Sequence, residues 1–241
     1  MNPSKRMALR AVFAALATTV MVACLVKGAR ADGIASSFSG SSNPNGAWSY
    51  GQYVESTSTF TLLTATNSTA CGLPNWSGSP GGFPVVVGNN TGSSVSCGSW
   101  TLPTDTLNLH PTNTAGTDSD VRWTAPAGGT YVISGSYSAL DATTTLDSIL
   151  VNGTSVFSTN IDSTNLSTSF SLTETLTAGS TIDFTVNCCS GLDQTYFSDS
   201  TGLTGTIDLA STVPAPEPSS ILLLAFGAVP LLLARVRRRL A

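Results

Sequence analysis

A hydrolytic triad needs an imidazole held by a carboxylate beside a nucleophile. The chain offers one histidine, His110, followed directly by Pro111 in a polar stretch, and no G-x-S-x-G elbow accompanies it. Glycoside cleavage needs two carboxylates flanking a cleft. Between Asp32 and Val213 the glutamates are Glu55 and Glu174 alone, and the aspartates are scattered. The reading is that the chain is not an enzyme; a secreted hydrolase stands last among the alternatives.

Hard cations want several oxygen ligands. Asp118-Ser119-Asp120, with Asn113 nearby, is a partial shell that Asp141 and Asp183 would extend. The full EF-hand pattern is absent and Asp-x-Asp is common in turns, so solvated turn aspartates are the competing reading. No cofactor is required, and a structural Ca²⁺ is left open. Sugar binding calls for an aromatic platform flanked by hydrogen-bonding groups. Trp76 and Trp100 sit in Gly/Ser-rich loops and are the candidates, with packing on a nearby disulfide as the alternative. Trp48 and Trp123 alternate with polar residues and belong to the core.

Cys71, Cys97, Cys188 and Cys189 are the cysteines beyond the N-terminal segment. An even count in an oxidising compartment favours disulfides. Cys71–Cys97 with a vicinal Cys188–Cys189 bridge is one pairing, and the other two tie both earlier cysteines to the adjacent pair. Zinc is the competing reading, but no C-x₂-C element is present.

The elements that must position these residues are short strands. Alternating runs at 47–54, 59–63, 83–87, 121–125 and 130–138 are followed by others at 147–151 and 154–158. Asn152-Gly153 between the last two matches a type I′ hairpin turn. Further runs span 169–176, 181–187, 194–197 and 203–209. About ten strands without helical periodicity predict an all-β fold, a single β-sandwich of jelly-roll type.

Both ends read as membrane-directing. Lys5, Arg6 and Arg10 precede an apolar stretch at 11–26 and the small-residue site Ala29-Arg30-Ala31. That is the pattern of a secretory signal peptide over residues 1–31, cleaved after Ala31. Residues 32–213 form the exported domain and 214–241 a C-terminal signal. In the latter, Pro216-Glu217-Pro218 precedes an apolar run at 221–234, and Arg235, Arg237, Arg238 and Arg239 follow. The run is short for a membrane-spanning helix, and the arginines would hold the tail in the cytoplasm.

Once the ends are set aside the charge is strongly one-sided. Arg122 is the only basic residue between Asp32 and Val213, against thirteen acids, a net charge near −12 where the whole chain carries −4. Such a surface has no footprint for nucleic acid, and it attracts divalent cations.

Pro216-Glu217-Pro218-Ser219-Ser220, the apolar run with Gly227 and the arginine cluster resemble the PEP-CTERM sorting signal. Pro230 late in the helix, and the alanine within Val-Pro-Ala-Pro-Glu-Pro, depart from the usual pattern. The resemblance covers about the last 28 residues. It implies an exosortase-type membrane protease as partner, an inner-membrane anchor before processing, and a cell-surface or extracellular fate afterwards. Trp48-Ser49-Tyr50-Gly51, Val121-Arg122-Trp123-Thr124-Ala125-Pro126, Gly129-Thr130-Tyr131, Val151-Asn152-Gly153 and Thr181-Ile182-Asp183-Phe184 are similar to the middle region of exported PEP-CTERM proteins. That region resembles carbohydrate-binding or galactose-binding-like sandwiches. The implied function is a non-catalytic surface or extracellular-matrix protein, acting in adhesion or with exopolysaccharide. The alternatives are a carbohydrate-binding module with a defined glycan and an ice-binding protein. No fixed repeat links the Thr-x-Thr stretches that ice binding would need.

Overall fold

The computed structural model describes residues 32–67, 70–188 and 195–212. The signal-peptide site at Ala29 and Ala31, the Pro216-Glu217-Pro218 motif, the apolar run at 221–234, the terminal arginines and Cys189 lie outside them. Among the described residues no helix is long and apolar enough to cross a membrane.

Fifteen strands are described: β1 (Asp32–Gly33), β2 (Trp48–Val54), β3 (Thr59–Leu62), β4 (Asn75–Ser77), β5 (Val85–Asn89), β6 (Val95–Cys97), β7 (Trp100–Leu102), β8 (Thr106–His110), β9 (Thr117–Thr124), β10 (Gly129–Ala139), β11 (Thr145–Val151), β12 (Thr154–Ile161), β13 (Ser167–Leu176), β14 (Thr181–Asn187) and β15 (Thr201–Thr212). One sheet runs β13-β10-β15-β8-β5-β4, with β1 added to β15; the other runs β12-β11-β14-β9-β2-β3. The paired strands are antiparallel throughout.

Side chains alternate across a strand, and that period builds the sandwich. Trp48, Tyr50, Val121, Trp123, Ile182, Phe184 and Val186 point inward from the six-stranded sheet. They meet Val86, Leu107, Leu109, Ile133, Tyr137, Phe170, Leu203 and Ile207 from the seven-stranded sheet in one buried core. Asn152 and Gly153 both take positive φ, 50° and 79°, as a two-residue I′ turn demands. The fold is therefore an all-β sandwich, as the alternation predicts.

A second, smaller cluster covers the outer face of the seven-stranded sheet. Val85 and Val87 pack there against Ala70, Leu73 and Leu102, and Cys71, Cys97 and Trp100 close over them. Cys71 and Cys97 are disulfide-bonded, 26 residues apart. That pairing removes the two alternatives in which both were tied to the adjacent cysteines. Cys188 is itself disulfide-bonded.

Four sequence expectations change. Asp118, Ser119 and Asp120 do not form a turn; they lie inside β9, and Asp118 and Asp120 face outward while Ser119 reaches in to Val85 O (3.3 Å). His110 ends a strand, β8, that its polar neighbours Thr106 and Asn108 disguise. Residues 195–197 form no strand. The Gly/Ser-rich loops also carry short strands, β4, β6 and β7.

Candidate functional site

Two regions combine exposure with convergent side chains. The first lies where the entry to β5, the end of β8 and the entry to β15 meet. Register pairs Val85 with His110 and Thr201 with Leu109, which brings Phe83, His110 and Tyr196 together. The Phe83 and His110 rings are stacked, centroids 4.4 Å apart at 29°. Tyr196 meets Phe83 edge-on at 5.5 Å and stacks on Phe197 at 4.6 Å. These are the offset and edge geometries that ring quadrupoles favour.

The outer members of this cluster are not spent on the core. Phe83 is 38% exposed and Phe197 69%. Single exposed apolar residues are ordinary, but four contiguous rings are not. His110 Nδ1 lies 3.0 Å from the Pro111 carbonyl, which accepts only, so Nδ1 carries the proton and Nε2 the lone pair. Burial pushes the imidazole below its ordinary value, while the Pro111 carbonyl and the Asp141 charge oppose this. The ring is therefore neutral near pH 7. Partly exposed Asp141 supplies a carboxylate beside this aromatic floor.

The second region is the outer face of the six-stranded sheet. Asp118 and Asp120 on β9 align with Tyr53 and Gly51 on β2, and Asp120 aligns with Thr185 on β14. Arg122 sits one step further along, opposite Asp183, and binds its carboxylate through Nε and Nη2. Phe60 lies across Gly51 with the Arg122 guanidinium 4.1 Å from its ring centre. A face that should be solvated is therefore roofed, and Asp120 is fully buried with neither carboxylate oxygen hydrogen-bonded.

Burial raises the carboxyl groups of this face. Asp118 is pushed up to about 8, chiefly by desolvation and then by the Glu55 charge, with Thr185 and Asn187 opposing. Asp120 is driven well above the usual carboxylate range by burial and by Asp183, against the pull of Arg122. Beside Asp118 a groove of about 210 Å³ opens between Tyr53, Glu55, Ser148, Leu150 and Thr185. A neighbouring hollow lies between Glu55, Thr114 and Gly116.

The residues singled out from sequence are dispersed. Trp76 lies on edge strand β4, packs on the main core, and donates its Nε1 hydrogen to Ser39 O (2.7 Å). Trp100 lies on β7 against the cluster that holds the Cys71–Cys97 bridge. The two tryptophans belong to different clusters. Asn113 is exposed, Asp141 stands by His110, and Asp183 joins Asp120. Among the described residues no three His, Cys, Asp or Glu side chains are grouped to hold one metal ion. Sequence reasoning missed Phe83, Tyr196 and Phe197; the Tyr-Phe pair sitting in a Ser/Asp-rich stretch was the available signal.

No protein-family model and no curated protein matches the chain. Among solved structures it is similar to a family 35 carbohydrate-binding module from Clostridium thermocellum. There the identity is 19%, covering 44% of this chain and 78% of that one, with a TM-score of 0.28. A family 35 module from Cellvibrio japonicus matches at 11% identity over 52% of this chain and 82% of its own, TM-score 0.29. Pika GITRL matches at 12% identity over 68% and 98%, TM-score 0.27.

Proposed function

We propose that this chain is an exported, non-catalytic glycan-binding protein whose stacking platform is the Phe83–His110–Tyr196–Phe197 cluster. The contact of four rings, two of them exposed, carries the reading. A pyranose presents an apolar C–H face and a rim of hydroxyls, so it needs a flat aromatic surface with acceptors at its edge. Phe197 and Phe83 supply the surface, and His110 Nε2 and the Asp141 carboxylate supply acceptors. Ligand sites commonly combine an apolar floor with a few placed polar groups.

The rest of the reading joins this platform to the two ends of the chain. The signal peptide exports the protein. The Pro-Glu-Pro tail anchors it in the inner membrane until an exosortase-type protease acts, and the acidic, lysine-free sandwich then works at the surface or in the exopolysaccharide matrix. Among the described residues no nucleophile is arranged beside His110, and its ring is occupied by Phe83 and Pro111. No acyl-transfer or hydrolytic step is assigned to it.

A glycan array probed with the exported domain tests the proposal. Binding to at least one neutral polysaccharide is expected, lost in a Tyr196→Ala/Phe197→Ala double variant that melts like the parent. A blank array, or binding unchanged in that variant, overturns it. Trp76→Ala and Trp100→Ala in the same array check whether either tryptophan supplies a platform of its own.

A further inference from the structure

Asp141 sits in the loop between β10 and β11, and that loop is tied, on both sides of Asp141, to the segment that carries Tyr196 and Phe197. Leu140 N donates to Ser200 O (3.0 Å), Thr143 Oγ1 to Ser200 O (2.7 Å) and Thr144 N to Asp199 Oδ1 (2.8 Å), while Asp199 N donates to Tyr196 O (3.4 Å). Thr143 is buried, so its bond is shielded from water. The carboxylate is oriented as well. Asp141 Oδ1 accepts from Ala142 N (2.9 Å), and among the described residues Oδ2 has no donor. The group is partly exposed and close enough to His110 for its charge to act on the imidazole.

No positive charge answers it. Arg122 is the one basic residue between Asp32 and Val213, and it is bound to Asp183 on the other sheet. Burial keeps His110 neutral near pH 7. The exposed faces of Phe83 and Phe197 add the negative potential that every aromatic ring carries above its plane. A ligand on this platform therefore meets one sign of charge beneath it and at its edge. A uronate would be repelled, a neutral sugar is tolerated, and an ammonium group is attracted by both the rings and the carboxylate.

We infer that the platform selects glycans carrying free amines, amino sugars whose nitrogen is not acetylated, and that Asp141 is the residue that sets this preference. The inference rests on the glycan-binding reading of the four-ring cluster and adds the class of sugar to it. The sugar ring lies on Phe83 and Phe197, and its ammonium group pairs with the Asp141 carboxylate at the rim. An exposed ion pair and an exposed cation–π contact are each modest, and together they give a preference of about tenfold. The acidic domain as a whole attracts cations to every face. What distinguishes the platform is that its preference depends on one carboxylate.

Calorimetric titration of the exported domain at pH 6.5, where an aliphatic amine is charged, tests this with β-1,4-linked trimers of glucosamine, N-acetylglucosamine and glucuronic acid. The glucosamine trimer should bind about tenfold tighter than its acetylated form, and the uronate should not bind. In an Asp141→Asn variant that melts like the parent, the ratio of the first two affinities should fall to about one. Asp105→Asn removes an exposed acid just before β8, at the far end of that strand from His110, in a left-handed conformation that asparagine tolerates. It should leave the ratio unchanged. Equal affinity of the parent for the amine and acetylated trimers overturns the selection and leaves the platform standing. A preference that survives in Asp141→Asn, loss of both ligands alike in that variant, or equal binding of trilysine also overturns it. Binding of none of the three trimers overturns the platform and the selection together.

Discussion

Arg122 and Asp183 stand directly opposite each other on β9 and β14 and close a two-point ion pair, Nη2 to Oδ2 at 3.1 Å, beneath the ring of Phe60. The Asp183 side chain is fully buried and that of Arg122 largely so. Among the described residues the pair is the only charge compensation on a face that also holds Asp118 and Asp120. A planar fork matches a carboxylate in a way that an ammonium does not.

Removing Arg122 is therefore expected to be costly. Arg122→Met leaves Asp183 and Asp120 buried side by side without a counter-ion, and breaking a buried pair typically costs about 3–5 kcal/mol. Arg122→Lys should recover part of this, because one hydrogen bond and the charge survive. Urea denaturation of the three proteins measures the difference, and a loss below about 1 kcal/mol for Arg122→Met would contradict the compensation argument.

Gly51 sets how closely the roof can sit. A Cβ at this position would meet Phe60 Cε2 at 2.2 Å and the Thr61 carbonyl at 2.6 Å. Phe60 can swing away but the backbone carbonyl cannot, so Gly51→Ala should push β3 off β2 and expose Asp120. Overpacking of this kind costs about 1–3 kcal/mol. Hydrogen exchange at the β2–β3 amides should rise, while the aromatic platform on the other sheet keeps its glycan binding.

Much of this architecture is legible in the sequence, and the parts that are not share a common cause. Val121, Trp123, Ile182, Phe184 and Val186 announce their strands because inward positions are apolar and outward ones polar. β8 is hidden in the sequence because Thr106 and Asn108 interrupt the apolar pattern, although both are buried on the outer face, where they pair in register with Asn89 and Val87. Asp118-Ser119-Asp120 reads as a turn for the same reason. Nothing local says that Phe60, nearly sixty residues upstream, will roof that stretch. The aromatic platform is a contact among three segments of the chain, and pairwise spacing does not encode it.

The Cys71–Cys97 bridge ties the β6–β7 hairpin to the loop before β4. Joining residues 26 apart restricts the unfolded chain by about 2–4 kcal/mol. Cys71→Ser/Cys97→Ser should lower stability by that order, and Trp100 fluorescence should change before the main core melts, since Trp100 packs on the disulfide-capped cluster and not on the sandwich interior. A single transition with unshifted midpoint would show that the cluster contributes nothing.

Asp147 carries the clearest pH dependence. It pairs with Val186 in register, points into the sandwich, and is fully buried with neither carboxylate oxygen hydrogen-bonded. Burial, with Asp199 and Asp118 adding, holds its carboxyl well above the ordinary 3.8, and Thr145 opposes only in part. The folded state therefore binds a proton that the unfolded state releases. The associated stability is complete below pH 3.8 and is lost as pH rises from there toward the folded-state value. Asp147→Asn keeps the shape and removes the ionisation. It should flatten that portion of the slope and raise stability at pH 7, leaving the same-signed contributions of Asp118 and Asp120. Chemical denaturation between pH 4 and pH 8 in EDTA checks this, and parallel curves for the variant and the parent would show that Asp147 is already neutralised by something else.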